Sequence, residues 1–140
     1  MSRVAMNDVE VREFLSQPLI ADIVTLKKDG SPQITPVDYY FDGTYLYFST
    51  TTDRAKGRNI KRDNRIAVSI RNENAHKVVL FSGTADILDD TDHALVRKII
   101  ARYWPPDKVA ATLSGLEVNR IILRMKPTKM ISWDYTKSGN

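Results

Sequence analysis

The stretch from Ser49 to Arg65 concentrates side chains that hold anions. Ser49-Thr50-Thr51-Thr52-Asp53-Arg54-Ala55-Lys56-Gly57-Arg58-Asn59-Ile60 places a run of hydroxyls directly before two cations. Six of the 21 basic residues fall within 54–65, at Arg54, Lys56, Arg58, Lys61, Arg62 and Arg65, against a single acid there, Asp63. The net charge is only +4, so this clustering, rather than the total, is what attracts anions. Thr51, Thr52 and Asp53 are N-cap candidates for a helix over 54–62. The N–H groups of a helix start and its positive dipole end favour phosphate. Arg54 and Lys56 would sit in that first turn, where cations oppose the dipole; a role other than stabilising the helix explains them. A solvated basic helix is the plain alternative.

Gln33-Ile34-Thr35-Pro36-Val37-Asp38 is the second unusual stretch. A proline inside a strand removes a ladder donor and marks an edge or a bulge. Backbone groups beside it can then bond a flat heterocycle, or the proline simply protects an edge from aggregation.

Other chemistries find no support. There are no cysteines, which removes disulfides, thiolate metal sites and cysteine nucleophiles. His76 and His93 lack ligand-like spacing, so no metal is expected. No Walker, Gly-x-Gly-x-x-Gly or Gly-x-Ser-x-Gly pattern occurs. Asp89, Asp90 and Asp92 read as helix-start residues rather than as a hydrolytic carboxylate pair. If the protein is an enzyme, a bound cofactor supplies the reactivity.

The elements that position these residues follow from period and punctuation. At 140 residues, with 42% hydrophobic and 27% charged, one domain with its own core is expected. Asn7 and Glu10 form a capping box for a helix that buries Phe14 and Leu15 and stops before Pro18. Strands follow over 21–28, 32–41 and 44–50, joined by Asp29-Gly30 and Asp42-Gly43 turns, which predicts a meander. Within it, Thr35–Val37 would lie beside the strand leading to Arg54. Leu46 and Phe48 share one face of the third strand, and Tyr45, Tyr47 and Ser49 the other.

A strand over 65–71 and a long strand over 77–88 come after the basic helix, the latter with a bulge or bend at Gly83. Val78-Val79-Leu80-Phe81 is apolar on both faces; one goes to the core and the other needs a cover, a helix or, favoured in so small a domain, a second subunit. Asp90-Thr91-Asp92 caps a helix carrying Leu95, Ile99 and Tyr103. Asp107 caps a short helix to Leu113, closed by Gly115. Two last strands, 118–125 and 128–135, join at Lys126-Pro127, and the tail 136–140 frays. No apolar run approaches the roughly 20 residues of a membrane span, and the N-terminus has no signal-peptide core. A cytoplasmic protein without membrane association is expected.

Asp29-Gly30-Ser31-Pro32, Thr35-Pro36-Val37, the Asp42-Gly43 hairpin and Arg54-x-Lys56-x-x-Asn59, in this order, resemble the pyridoxamine-phosphate-oxidase-like flavin-binding split barrels. Gly83-Thr84-Ala85 and Lys129-Met130-Ile131-Ser132-Trp133 extend the resemblance over nearly the whole chain. The short length and the Lys56–Asn59 stretch look most like the small F420-dependent (deazaflavin) reductases. The resemblance implies a mostly β fold, a six- to seven-stranded antiparallel split β-barrel, as a homodimer with cofactor sites at the interface.

It also implies an oxidoreductase that moves hydride between F420, or alternatively FMN, and a small organic substrate. Carried over by position, Arg54 and Lys56 grip the cofactor phosphate and Ser49 and Thr50 add hydroxyls. Thr35, Pro36 and Val37 line the ring; Asn59, Lys61 and Arg62 support the site or meet a polyglutamate tail; and Trp133 packs near the ring from the partner chain or is an ordinary interface aromatic. Tyr39 or Tyr45 is a candidate proton source. The chain ends soon after Trp133, short of the longer C-terminal element of true pyridoxamine-phosphate oxidases, so vitamin B6 chemistry is not expected. A non-catalytic cofactor carrier or a nucleic-acid binder is the rival class; no RNP-like or helix-turn-helix signature supports nucleic acid.

Overall fold

A computed structural model describes residues 3–137. The chain opens with α1 (Asp8–Leu15), set by the expected capping box: Glu10 N–H donates to Asn7 Oδ1 at 2.8 Å, and Asn7 N–H to Glu10 Oε1 at 3.0 Å. Then come β1 (Ala21–Leu26), β2 (Pro32–Val37), β3 (Tyr40–Phe41) and β4 (Leu46–Thr51), followed by α2 (Ala55–Arg62). β5 (Arg65–Arg71), β6 (Lys77–Asp89), α3 (Ala94–Tyr103), α4 (Pro106–Ser114) and β7 (Arg120–Asp134) complete the described chain.

All seven strands join one antiparallel sheet in the order β2-β1-β5-β6-β7-β4-β3. The meander is therefore corrected. β1 and β2 do form the Asp29-Gly30 hairpin, but the expected strand over 32–41 breaks at Asp38-Tyr39. Its second piece, β3, pairs with β4 at the far edge of the sheet. β2 is an edge strand, where the missing N–H of Pro36 costs no ladder bond. Tyr39 drives the break: it is fully buried, its hydroxyl donates to Leu15 O at 2.9 Å, and its N–H donates to Tyr103 Oη at 3.1 Å.

The two expected C-terminal strands are one. β7 runs through Lys126-Pro127 against β6, and the register slips between Ser82 and Gly83, leaving Thr128 as the extra residue. The expected irregularity at Gly83 is real and steric: a Cβ there would lie 2.1 Å from Lys126 O. At the end of the chain, Thr136 N–H and Oγ1 donate to Asp134 Oδ1 and Lys137 Nζ reaches Glu10 Oε1 at 2.7 Å, so these two residues are tied down. The rest of the tail predicted to fray, 138–140, lies outside the described residues.

β4 and β7 sort their alternate side chains into two cores. Leu46, Phe48, Leu123 and Met125 join Ile23, Tyr39, Val79 and Phe81 inside the curled sheet. Tyr47 and Ile122 face the other way and pack under Val96, Ile99 and Ile100 of α3 and Val109 and Leu113 of α4. α3 is held at its start by Asp90, whose two carboxylate oxygens accept from Leu95 and Val96 N–H at 3.0 and 2.8 Å. α4 begins at Pro106 with Pro105 as its N-cap, two residues before the expected cap Asp107, which lies in the first turn instead. Among the described residues no helix is long and apolar enough to cross a membrane.

Candidate functional site

A cavity of about 360 Å³ opens where the end of edge strand β2, the β4–β7 pair, α2 and the α3–α4 pair converge. β2 and β4 stand near opposite ends of the strand order. Even so, Pro36, Val37 and Asp38 at the end of β2 line this cavity together with Ser49 of β4. Curling of the sheet makes that meeting, where a flat meander would have made it through hydrogen bonds.

Arg54, Lys56 and Arg120 bring three cations to the same wall. Arg54 is the N-cap of α2 and carries no capping side-chain bond. The expected caps are used elsewhere: Asp53 accepts from Thr51 Oγ1 at 2.6 Å and Asn119 Nδ2 at 2.9 Å, which hold its carboxyl below the usual range. Gly57 sets how closely α2 approaches β4, because a Cβ there would lie 2.5 Å from Thr51 O. Lys56 is thereby drawn into the cavity. Burial lowers its ammonium pKa, and the neighbouring charges of Arg54 and Arg120 lower it further.

Arg120 is well buried, with 13% of its side chain exposed; it donates to Ser49 Oγ at 3.3 Å and to Glu117 Oε2 at 2.6 Å. Its Nε finds no partner. Glu117 also reaches Arg54, Oε1 to Nη2 at 3.2 Å, so one carboxylate orients both guanidinium groups. Three cations against the carboxyls of Glu117 and Asp38 still leave an excess of positive charge that a phosphate would balance. A half-buried lysine held beside two arginines is the observation that fits this wall to a phosphate. The opposite wall is apolar, built from Val96, Ile99, Ile100 and Leu116, with Trp104 lining it while 51% exposed. Such a cavity can hold an anionic group at one end and a flat apolar body at the other.

Of the residues singled out from sequence, Pro36, Val37, Ser49, Arg54 and Lys56 meet here. Thr35 lies opposite Ile23 in the β1–β2 ladder and does not line the cavity. Thr50 points to the core side of β4, fully buried, with its hydroxyl unpartnered. Asn59 is buried in the joint between α2 and the sheet, donating to Thr25 Oγ1 at 3.0 Å and Gln33 Oε1 at 3.1 Å. Lys61 is exposed on α2 away from the cavity. Arg62 reaches Leu26 O and Arg65 pairs with Asp63.

Trp133 lies near the end of β7 opposite Val78, under the guanidinium of Arg3 at 4.2 Å from its ring centre. Neither tyrosine suggested as a proton source lines the cavity. Tyr39 is committed to α1, with its phenol pushed up by burial, and Tyr45 lies beside Tyr47 and Arg124.

Sequence reasoning missed Arg120, Glu117, Asp38 and the helical wall. Arg120 did carry a signal: it shares a strand face with Ile122, which is fully buried, so a cation there enters half-buried surroundings.

The comparisons agree with this architecture. The family model described as pyridoxamine 5'-phosphate oxidase matches residues 8–134. A solved conserved hypothetical protein from Mycobacterium tuberculosis superposes with a TM-score of 0.83 at 20% identity, over 97% of this chain and 89% of that one. A structure described as an F420 reductase has a TM-score of 0.70 at 29% identity, covering 85% of this chain and 94% of its own. A putative pyridoxamine 5'-phosphate oxidase from Listeria innocua has the same TM-score at 14% identity, over 89% and 96%. With its sequence matched almost end to end and its strands curled around a cation-lined cavity, the chain belongs to the pyridoxamine 5'-phosphate oxidase family.

Proposed function

We propose that this protein is an oxidoreductase that binds the deazaflavin F420 and moves hydride between it and a small, electron-poor organic substrate. The observation that carries the reading is the convergence of Arg54, Lys56, Arg120 and Ser49 on one cavity whose other walls are apolar. Phosphate anchoring at the cationic wall would leave the ring against Pro36–Asp38 and the α3 side chains. The bound group supplies the hydride chemistry; the chain supplies orientation and a site that excludes water. Likeness to a structure described as an F420 reductase supports the deazaflavin. So do the exposed Arg58 and Lys61 further along α2, which suit a tail of carboxylates.

FMN is the second reading, favoured by one observation: three cations in excess over the carboxyls suit the dianion of a phosphate monoester. A homodimer completes the proposal. The outer sheet face carries a groove of about 320 Å³ lined by Val24, Ile34, Leu80 and Ile131, with Ile34 69% and Ile131 45% exposed. A second copy would cover it, and Trp133, on the adjoining strand end, would then reach a cofactor at the interface. Sedimentation should find a dimer; a monomer at micromolar concentration would count against that part.

The deciding experiment titrates FMN and F420 separately into the wild-type chain and the Arg54→Gln/Lys56→Met double variant. The wild type should bind one of them and the double variant should lose it with its fold intact. Equal binding by both chains sinks the assignment.

A further inference from the structure

The cavity contains one group that phosphate anchoring does not use. Asp38 is the single carboxyl on its wall among the described residues, half-buried at the end of β2. The backbone beside it is pinned: Tyr39 N–H donates to Tyr103 Oη at 3.1 Å, Tyr103 Oη donates to Leu19 O at 2.6 Å, and the Tyr39 hydroxyl is held by α1. Neither phenol is therefore free to serve Asp38 or a ligand. Burial alone raises the Asp38 carboxyl above its usual range, with no hydrogen bond or cation lowering it. The charged and titratable groups facing this region are Arg54 at the α2 N-cap, Lys56 from α2, Arg120 from β7, and Tyr103 and Arg102 from α3, Arg102 being stacked over Tyr39 and bonded to Leu15, Ser16 and Gln17 carbonyls. The first three pair with Glu117 or stand at the anion wall; Tyr103 is neutral.

Resting on the oxidoreductase reading above, we infer that Asp38 is the acid that protonates carbon when a C=C bond conjugated to a carbonyl is reduced in this cavity. The electron balance is simple. Two electrons and one hydrogen pass as hydride from the reduced deazaflavin or flavin to the β-carbon, which oxidises the cofactor. The C=C π pair shifts towards the carbonyl as an enolate. The α-carbon then takes a proton from the Asp38 carboxyl, which solvent restores once the product has left. A carboxyl placed without a partner in a half-buried cavity keeps its proton nearer to neutral pH than an exposed one does, which is what a general acid needs.

The test uses the full chain and Asp38→Asn, each loaded with whichever cofactor binds in titration. Two acceptors are compared: 2-cyclohexen-1-one, which needs a proton on carbon, and methylene blue, which takes hydride and needs none. The ratio of enone to dye rates should fall by about 100- to 10,000-fold in the variant, and Asp38→Glu should recover part of it. In the unloaded protein, carbon-13 NMR should show one aspartate carboxyl titrating above 3.8, the ordinary value, and that signal should vanish in Asp38→Asn.

An unchanged ratio, equal slowing of both acceptors, no enone reduction by the loaded wild type, or an ordinary titration each overturns the assignment. Failure of the wild type to bind either cofactor is a different result. It overturns the oxidoreductase reading itself, and this inference with it.

Discussion

Replacing Lys56 with methionine should push stability and affinity in opposite directions. The ammonium sits half-buried beside Arg54 and Arg120, and burial first, then those two charges, lowers its pKa. A base whose pKa is lower folded than unfolded binds fewer protons in the native state. Its penalty on folding is therefore fully present at pH 7. The penalty fades as pH rises through the folded value towards 10.5, the ordinary lysine value. Methionine keeps much of the aliphatic stem and removes the charge, so Lys56→Met should show a higher urea midpoint at pH 7. The gap to wild type should narrow as pH rises towards 10.5.

Affinity should move the other way. A hydrogen bond from a charged donor contributes about 1.5–3 kcal/mol, and each 1.4 kcal/mol is tenfold. Cofactor binding should therefore weaken by roughly 10- to 150-fold. Paired urea melts and equilibrium titrations measure both quantities on the same preparations. If the variant loses stability and affinity together, Lys56 is a packing residue and the anion-wall argument is wrong.

Two further variants probe how α2 is seated. Gly57→Ala puts a Cβ 2.5 Å from Thr51 O. It should lose about 1–3 kcal/mol of stability through overpacking despite alanine's better helix propensity, and an unchanged urea midpoint would contradict that contact. Asn59→Ala removes the buried donor to Thr25 Oγ1 and Gln33 Oε1. It should cost about 1–3 kcal/mol in the same melts; a drop in cofactor affinity with no loss of stability would instead return Asn59 to the site.

Much of this protein is legible locally. The Asn7/Glu10 capping box, the Asp29-Gly30 hairpin, the caging of Gly83 and the two faces of β4 all stand where the sequence places them. Each depends on residues close in the chain or on a strict alternation of faces. The capping of α2 did not follow, although the candidates were adjacent. Asn119, distant in sequence, engages Asp53 instead, and a cap competes with every other donor that tertiary structure brings near.

The cationic character of the segment was legible from composition and spacing alone, because charge acts wherever the chain folds. Its partners were not. Arg120 and Glu117 arrive from the far end of the sequence through the β4–β7 ladder, and Asp38 arrives through the curl that brings the end of β2 to the β4–β7 pair. Strand pairing between segments this far apart leaves no local trace, since any strand of matching alternation would satisfy the same backbone groups. The amino-acid sequence determined that cations cluster beside α2; the tertiary structure decided which third cation, which carboxyl and which apolar wall surround them.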